Sequence, residues 1–222
     1  MKELPFKMKQ ETEMEKYRAE TFWTKEPETI EWIKSFKPDA IFFDVGANVG
    51  VYSLYAASLF PTMNIVAFEP MPENFKSLNN NILLNKFTNI SPRDYAVGNF
   101  TRTVKLDIPQ NVSGSTGSQV SHNGIDVIMV DIDNFCQGLS GLYYVKIDID
   151  GQELEVINGM KNTLPHIKSI LVEVSSESKD EITAILTSAG FTTTNRFNAM
   201  APHSRERRAK EGIDAENIIF TR

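Results

Sequence analysis

The stretch IFFDVGANVG, residues 41–50, runs a series of bulky apolar side chains into Asp44 and then brackets a polar turn with Gly46 and Gly50. A strand apolar on both faces belongs at the centre of a parallel sheet, covered by helices on either side. A plain connector needs no carboxylate at that point, whereas a turn that receives a ligand often has one. The two glycines allow a tight turn and a close approach of backbone to ligand. Asn48 tolerates an unusual backbone angle or caps the helix that follows.

Working outward, strands and helices alternate. VGVYSLYAASLF (49–60) reads as a buried helix stopped by Pro61, and NIVAFEP (64–70) as a second strand. PENFKSLNNNILLN (72–85) is a crossover helix with Phe75, Leu78 and Ile82 inward, and NISPRDYAV (89–97) is a broken third strand. RTVKLDIP and IDVIMVDI are two short strands. Between them lies the polar stretch 110–124, QNVSGSTGSQVSHNG, which reads equally as a binding loop and as plain surface. LYYVKIDID (142–150), QELEVINGMKNTL (152–164), SILVEV (169–174) and KDEITAILTSAG (179–190) are strand, helix, strand and helix, the last capped by Gly190. FTTTNRF and AENIIFTR lie too close together for another crossover and predict an antiparallel closing pair. Ahead of the first strand, residues 8–20 read as a polar helix and PETIEWIKSF (27–36) as a second, with Ile30, Ile33 and Phe36 near one face. The fold class is α/β, a doubly wound sandwich over 39–222, preceded by a helical extension over 1–38.

Composition narrows the function. The chain has 222 residues, is 41% hydrophobic and 23% charged, and carries a net charge of −6. That charge argues against nucleic acid as a partner. No apolar run reaches membrane-spanning length, and the charged N-terminus lacks a signal-peptide core. A cytoplasmic location is the expectation, and oligomeric state is left open. The single cysteine, Cys136, excludes an internal disulfide and a cysteine zinc cage. It reads as a small buried residue, and Trp23 and Trp32 as packing residues. His122, His166 and His203 fall in loops and read as surface side chains, as does the basic cluster 204–210.

In such sheets ligands bind beyond the carboxyl ends of the strands, where strand order reverses. Glu69 ends the second strand about twenty residues after the glycine turn, where ribose-binding carboxylates sit. Together these features indicate a cofactor containing a nucleoside. A dinucleotide turn would require a third glycine, and Asp44 would oppose a pyrophosphate. An acid suits a cationic ligand, and S-adenosyl-L-methionine carries a sulfonium and an amino group. Asp148 and Asp150, two apart in KIDID, share a face. With Glu173 one strand further over they form a cluster of acids of the kind found at functional sites. Oxygen ligands of this type also suit Mg²⁺ or Ca²⁺, but no metal is assigned.

FFDVGANVGVYSLYAA, VAFEPMPENFKSLNNNILLN, DYAVGN, IDVIMVDIDNF and YVKIDIDGQELEVINGM…ILVEV, within about residues 39–175, resemble the FkbM-type S-adenosylmethionine-dependent methyltransferases. This chain has Ile149-Asp150 where the family more often has Val-Glu, and Val130 in place of a Thr. The resemblance implies a Rossmann-like, mostly parallel seven-stranded sheet with an antiparallel C-terminal strand. It also implies methyl transfer to a hydroxyl of a sugar, glycan or natural product. On that footing Asp148 is expected to be the general base, with Asp150 second and Lys146 orienting the acceptor or tuning the acids. The cofactor residues expected are Asp44, Gly46, Asn48, Gly50, Glu69 and Asn74, with Asp94, Ala96 and Val97 near the adenine. Ser115, Ser118 and Glu173 are expected on the acceptor side. Two alternatives share the fold: a nicotinamide-dependent oxidoreductase, and a module that binds cofactor without catalysis.

Overall fold

Strand β1, Ile41–Val45, is hydrogen-bonded on one side to β2, Asn64–Phe68, and on the other to β8, Tyr143–Ile147, both in parallel. The computed structural model describes residues 3–194, 197 and 215–222. Strand β3 (Ile90–Arg93) lies outside β2, β9 (Ile167–Ser175) lies outside β8, and the closing pair β11 (Ala215–Thr221) and β10 (Thr192–Thr193) completes the edge. The resulting seven-stranded order is β10-β11-β9-β8-β1-β2-β3, parallel except where β11 joins β9 and β10. The expected antiparallel closure is present. The order reverses at β1, which places the β1–β8 crevice where open α/β sheets bind ligands.

Alternation along β1 sends Phe42 into one hydrophobic layer and Phe43 and Val45 into the other. The first layer lies under α1 (Glu13–Lys25), α2 (Pro27–Lys34), α3 (Val51–Leu59) and α4 (Pro72–Asn85). The second lies under α6 (Glu153–Asn158) and α7 (Lys179–Ser188), with the short α5 (Ile132–Phe135) beside them. The residues before β1 are tied into the first layer. Trp32 and Ile33 are fully buried, and the Trp32 indole donates to Ser169 Oγ at 2.8 Å. Helix α1 begins at Glu13 rather than at residue 8, because Thr12 and Glu15 form a reciprocal capping box.

The helix expected over 152–164 stops at Asn158. A Cβ on Gly159 would lie 2.0 Å from the Gly98 carbonyl oxygen, so this turn is pressed against another segment. A second sheet, not foreseen from periodicity, has the order β4-β7-β5-β6. Its strands are β4 (Ala96–Val97), β5 (Arg102–Asp107), β6 (Gln119–Ser121) and β7 (Ile125–Val130). The broken third strand divides here, with β3 in the large sheet and β4 in the small one. Among the described residues no helix is long and apolar enough to cross a membrane. His203 and the basic cluster 204–210 lie outside the described residues.

Candidate active site

The turn after β1 is shaped by close contact. Gly46 has φ +82°, and a Cβ there would lie 2.1 Å from the backbone oxygen of Asp148. Any side chain would therefore separate the ends of β1 and β8. Asn48 takes the left-handed region with φ 54°, a conformation asparagine accepts more readily than most residues. Gly50 caps α3 with φ +92° and packs on Leu78.

Glu69 leaves the end of β2 and is 4% exposed. Its Oε2 accepts the Asn48 N–H at 2.7 Å and its Oε1 the Met71 N–H at 2.9 Å, so the two oxygens are fixed by main chain. Burial pushes its pKa up to about 7, against the downward pull of the Met71, Asn48 and Asn74 donors.

At the end of β8, Lys146 is buried, and its Nζ donates to Asp148 Oδ2 at 2.7 Å and lies 4.0 Å from Asp44 Oδ1. Burial alone would lower the ammonium pKa, but Asp148, Asp44 and Glu26 outweigh it and hold it above its ordinary value. Lys146 also sits over the Tyr52 ring, whose hydroxyl donates to Glu26 at 2.7 Å. Asp44 is fully buried and accepts from Ser53 Oγ at 2.6 Å. Burial raises its pKa, opposed by Lys146 and Ser53.

These strand ends open on one cavity of about 360 Å³, within the size range of small-molecule sites. Of the residues expected from sequence, Gly46, Asn48, Glu69, Asn74, Ala96, Val97, Ser115, Ser118, Asp148, Asp150 and Glu173 all line it. Four others sit elsewhere. Asp44 shares the face of Phe42 and is covered by α3, so it meets Lys146 rather than the cavity. Lys146 stands behind Asp148. Gly50 lies under Leu78, and Asp94 is exposed and is not part of the wall, which its neighbour Tyr95 joins instead.

The polar loop 110–118 is pinned across the cavity. The Ser115 carbonyl accepts from Asn48 Nδ2 at 2.7 Å and from Asn74 Nδ2 at 3.1 Å. Gly114 N–H donates to Asn74 Oδ1, and Gly117 N–H to Asp150 Oδ2 at 2.6 Å. Glu15, from α1, accepts from Ser77 and Ser113 within a buried cluster, while Thr12 Oγ1 donates to the Ser113 carbonyl. Asp150 therefore holds the loop as well as facing the cavity. Its pKa is raised, chiefly by burial, with the Gly117 amide opposing.

Sequence reasoning missed Arg18 and Lys25 on α1, Leu106 on β5, Val120 on β6, and Gln152. Alternation of Val104 and Leu106 marked a buried face of β5, but what it covered depended on the second sheet. Nothing near Arg18 in the chain signals a site. Among the described residues no group of three or more His, Cys, Asp or Glu is placed to hold a metal ion.

The residues present fit S-adenosylmethionine. Glu69 offers a ribose acceptor at the cavity wall, Gly46 removes side-chain bulk at the turn, and acids rather than a phosphate cradle surround the crevice. The chain is 26% identical over 166 residues to the hexuronic acid methyltransferase AglP of Haloferax volcanii, covering 72% of this chain and 67% of that one. It is 23% identical over 195 residues to the 31-O-demethyl-FK506 methyltransferase FkbM of Streptomyces tacrolimicus, covering 70% and 74%. A Clostridium thermocellum structure assigned as an rRNA-methylase superposes with a TM-score of 0.54 at 10% identity, covering 88% of this chain and 93% of that chain, a likeness of fold alone. The methyltransferase FkbM domain model matches residues 44–193, from the acid one residue before the end of β1 to the last residue of β10. The chain belongs to the FkbM methyltransferase domain family, and its reaction is methyl transfer from S-adenosylmethionine.

Proposed function

We propose that this enzyme methylates a hydroxyl oxygen of a sugar or other small molecule, with Asp148 as general base. The observation that carries this reading is the Lys146–Asp148 pair at the wall of the cavity that also contains Glu69. When bound, S-adenosylmethionine supplies an electrophilic methyl group. An alcohol is a weak nucleophile while it keeps its proton, so a positioned carboxylate that takes the proton as the new bond forms accelerates the reaction. Lys146 is a positioning residue that fixes the Asp148 carboxylate by a charge-assisted hydrogen bond. Asp44 acts one step further back, as the second counter-charge to Lys146.

Glu69, held by two amides, takes the ribose hydroxyls. Asn48 and Asn74 frame the turn, and Tyr95, Ala96 and Val97 wall the adenine. Ser118 and Glu173 face the acceptor, and Ser115 ties the loop over it. Much of the remaining rate enhancement is alignment of two reactants in an enclosed space. One relative is named for a hexuronic acid and another for an O-demethyl compound, which supports oxygen acceptors of low molecular weight.

The test is transfer of labelled methyl from S-adenosylmethionine to a panel of sugars, uronic acids and small alcohols. Label stable to mild alkali marks an ether and supports the reading. Label lost in alkali marks a carboxyl ester and sinks it.

A further inference from the structure

Helix α1 lies outside the residues matched by the family model, yet among the described residues it supplies the cations that line the cavity, Arg18 and Lys25. Seven residues apart, they share a helix face. Both also line a smaller recess beside the cavity, between α1 and the turn at Gly46 and Asn48, with Tyr52 and Asp148 on its far wall. Among the described residues the Arg18 guanidinium makes one hydrogen bond, from Nε to the Gly114 carbonyl at 2.9 Å. Its terminal nitrogens are bonded to none of them. Its charge pulls down the pKa of both Glu69 and Asp150, so it stands among acids without being paired to either. Lys25 is engaged with Glu26 at 2.9 Å.

A guanidinium with its terminal donors available is suited to a carboxylate, which it grips through two parallel hydrogen bonds. A carboxylate could arrive on the acceptor or on the cofactor's methionyl arm. The recess favours the cofactor, because its wall is the same glycine turn whose Asn48 amide fixes Glu69. Resting on the S-adenosylmethionine reading above, we propose that Arg18 binds the α-carboxylate of the cofactor's methionyl arm, which makes α1 part of the cofactor site.

Calorimetry with two nucleosides tests this. S-adenosylhomocysteine carries the amino-acid arm and 5′-methylthioadenosine lacks it. Arg18→Gln should weaken S-adenosylhomocysteine on the order of tenfold to a hundredfold, as expected for a hydrogen bond to a charged group, and leave 5′-methylthioadenosine within about twofold. Arg18→Lys should recover part of the loss. Equal weakening of both ligands would assign Arg18 to holding the loop through Gly114 and overturn the proposal. Unchanged S-adenosylhomocysteine binding with a raised KM for an acidic acceptor would overturn it in favour of the acceptor's carboxylate. The wild-type protein gives an arm independent of folding. S-adenosyl-3-thiopropylamine, the decarboxylated analogue of S-adenosylhomocysteine, should bind weaker by a similar factor, and equal binding removes the carboxylate contact. Failure of the wild-type protein to bind either nucleoside would instead sink the cofactor reading, and this proposal with it.

Discussion

Glu69 and Asp148 follow the two strands that flank β1, and they are held in opposite ways. Glu69 is buried, and both its oxygens are fixed by main-chain amides from the turns on either side. Asp148 is more open, with 28% of its side chain exposed, and among the described residues its carboxylate accepts from the buried Lys146. Main-chain donors cannot move without moving the fold, so Glu69 is a fixed acceptor suited to holding a ligand. A side-chain partner leaves Asp148 fixed in place but within reach of the cavity, as a proton acceptor must be. Two acids at equivalent strand ends can therefore take different tasks, and the difference lies in what donates to them.

The largest expected effect breaks the Asp148 side. Asp148→Asn should lower turnover by roughly 10²- to 10⁴-fold, the usual range for a general base. S-adenosylhomocysteine affinity should stay unchanged, as measured by labelled-methyl assay and calorimetry in parallel. Turnover near wild type would move the base elsewhere. Next, Lys146→Met should cost about 3–5 kcal/mol of stability, read by denaturant unfolding, because it strands Asp44 in a buried site. A cost under about 1 kcal/mol would mean that water reaches this pair.

Glu69→Ala should weaken cofactor binding on the order of tenfold to a hundredfold, since the Asn48 and Met71 amides and the ribose all lose their acceptor. The smallest expected effect is a pH dependence. With its pKa raised to about 7 by burial, Glu69 loses its proton in the free enzyme as pH rises through neutrality. S-adenosylhomocysteine affinity should therefore rise with pH between about 6 and 8, by at most roughly tenfold over the whole range, and Glu69→Gln should flatten the profile. The same shift acts on stability with the opposite slope. The native state keeps this proton longer than the unfolded chain does, so Glu69 contributes most below the ordinary glutamate pKa. That contribution is lost as pH rises through about 7.

Much of the molecule was legible because it is local. The apolar run of β1, the G-A-N-V-G turn and the acid ending β2 each follow from strand period and from what Gly and Asn allow a backbone to do. Those rules act between near neighbours, so they placed the crevice, the buried acid after β2 and the paired aspartates of KIDID along one cavity. The same rules also misled at Asp44. It stands near the strand end as a ligand acid would, but it shares the face of Phe42 and so lies under α3, toward Lys146.

The remainder was settled by contacts between segments far apart in the chain. The loop 110–118 has no periodicity of its own. It is ordered by Asn48, Asn74, Glu15 and Thr12, the last of these 101 residues from its partner Ser113. Arg18 reads as one more charge on a polar helix until α1 packs across the glycine turn. Sequence by itself determined which strand ends carry the acids and the glycine turn, because side-chain alternation and turn geometry are set residue by residue. Only the tertiary structure decided which cations and which loop close over them, because a donor and an acceptor a hundred residues apart meet only once the sheet has fixed where each segment lies.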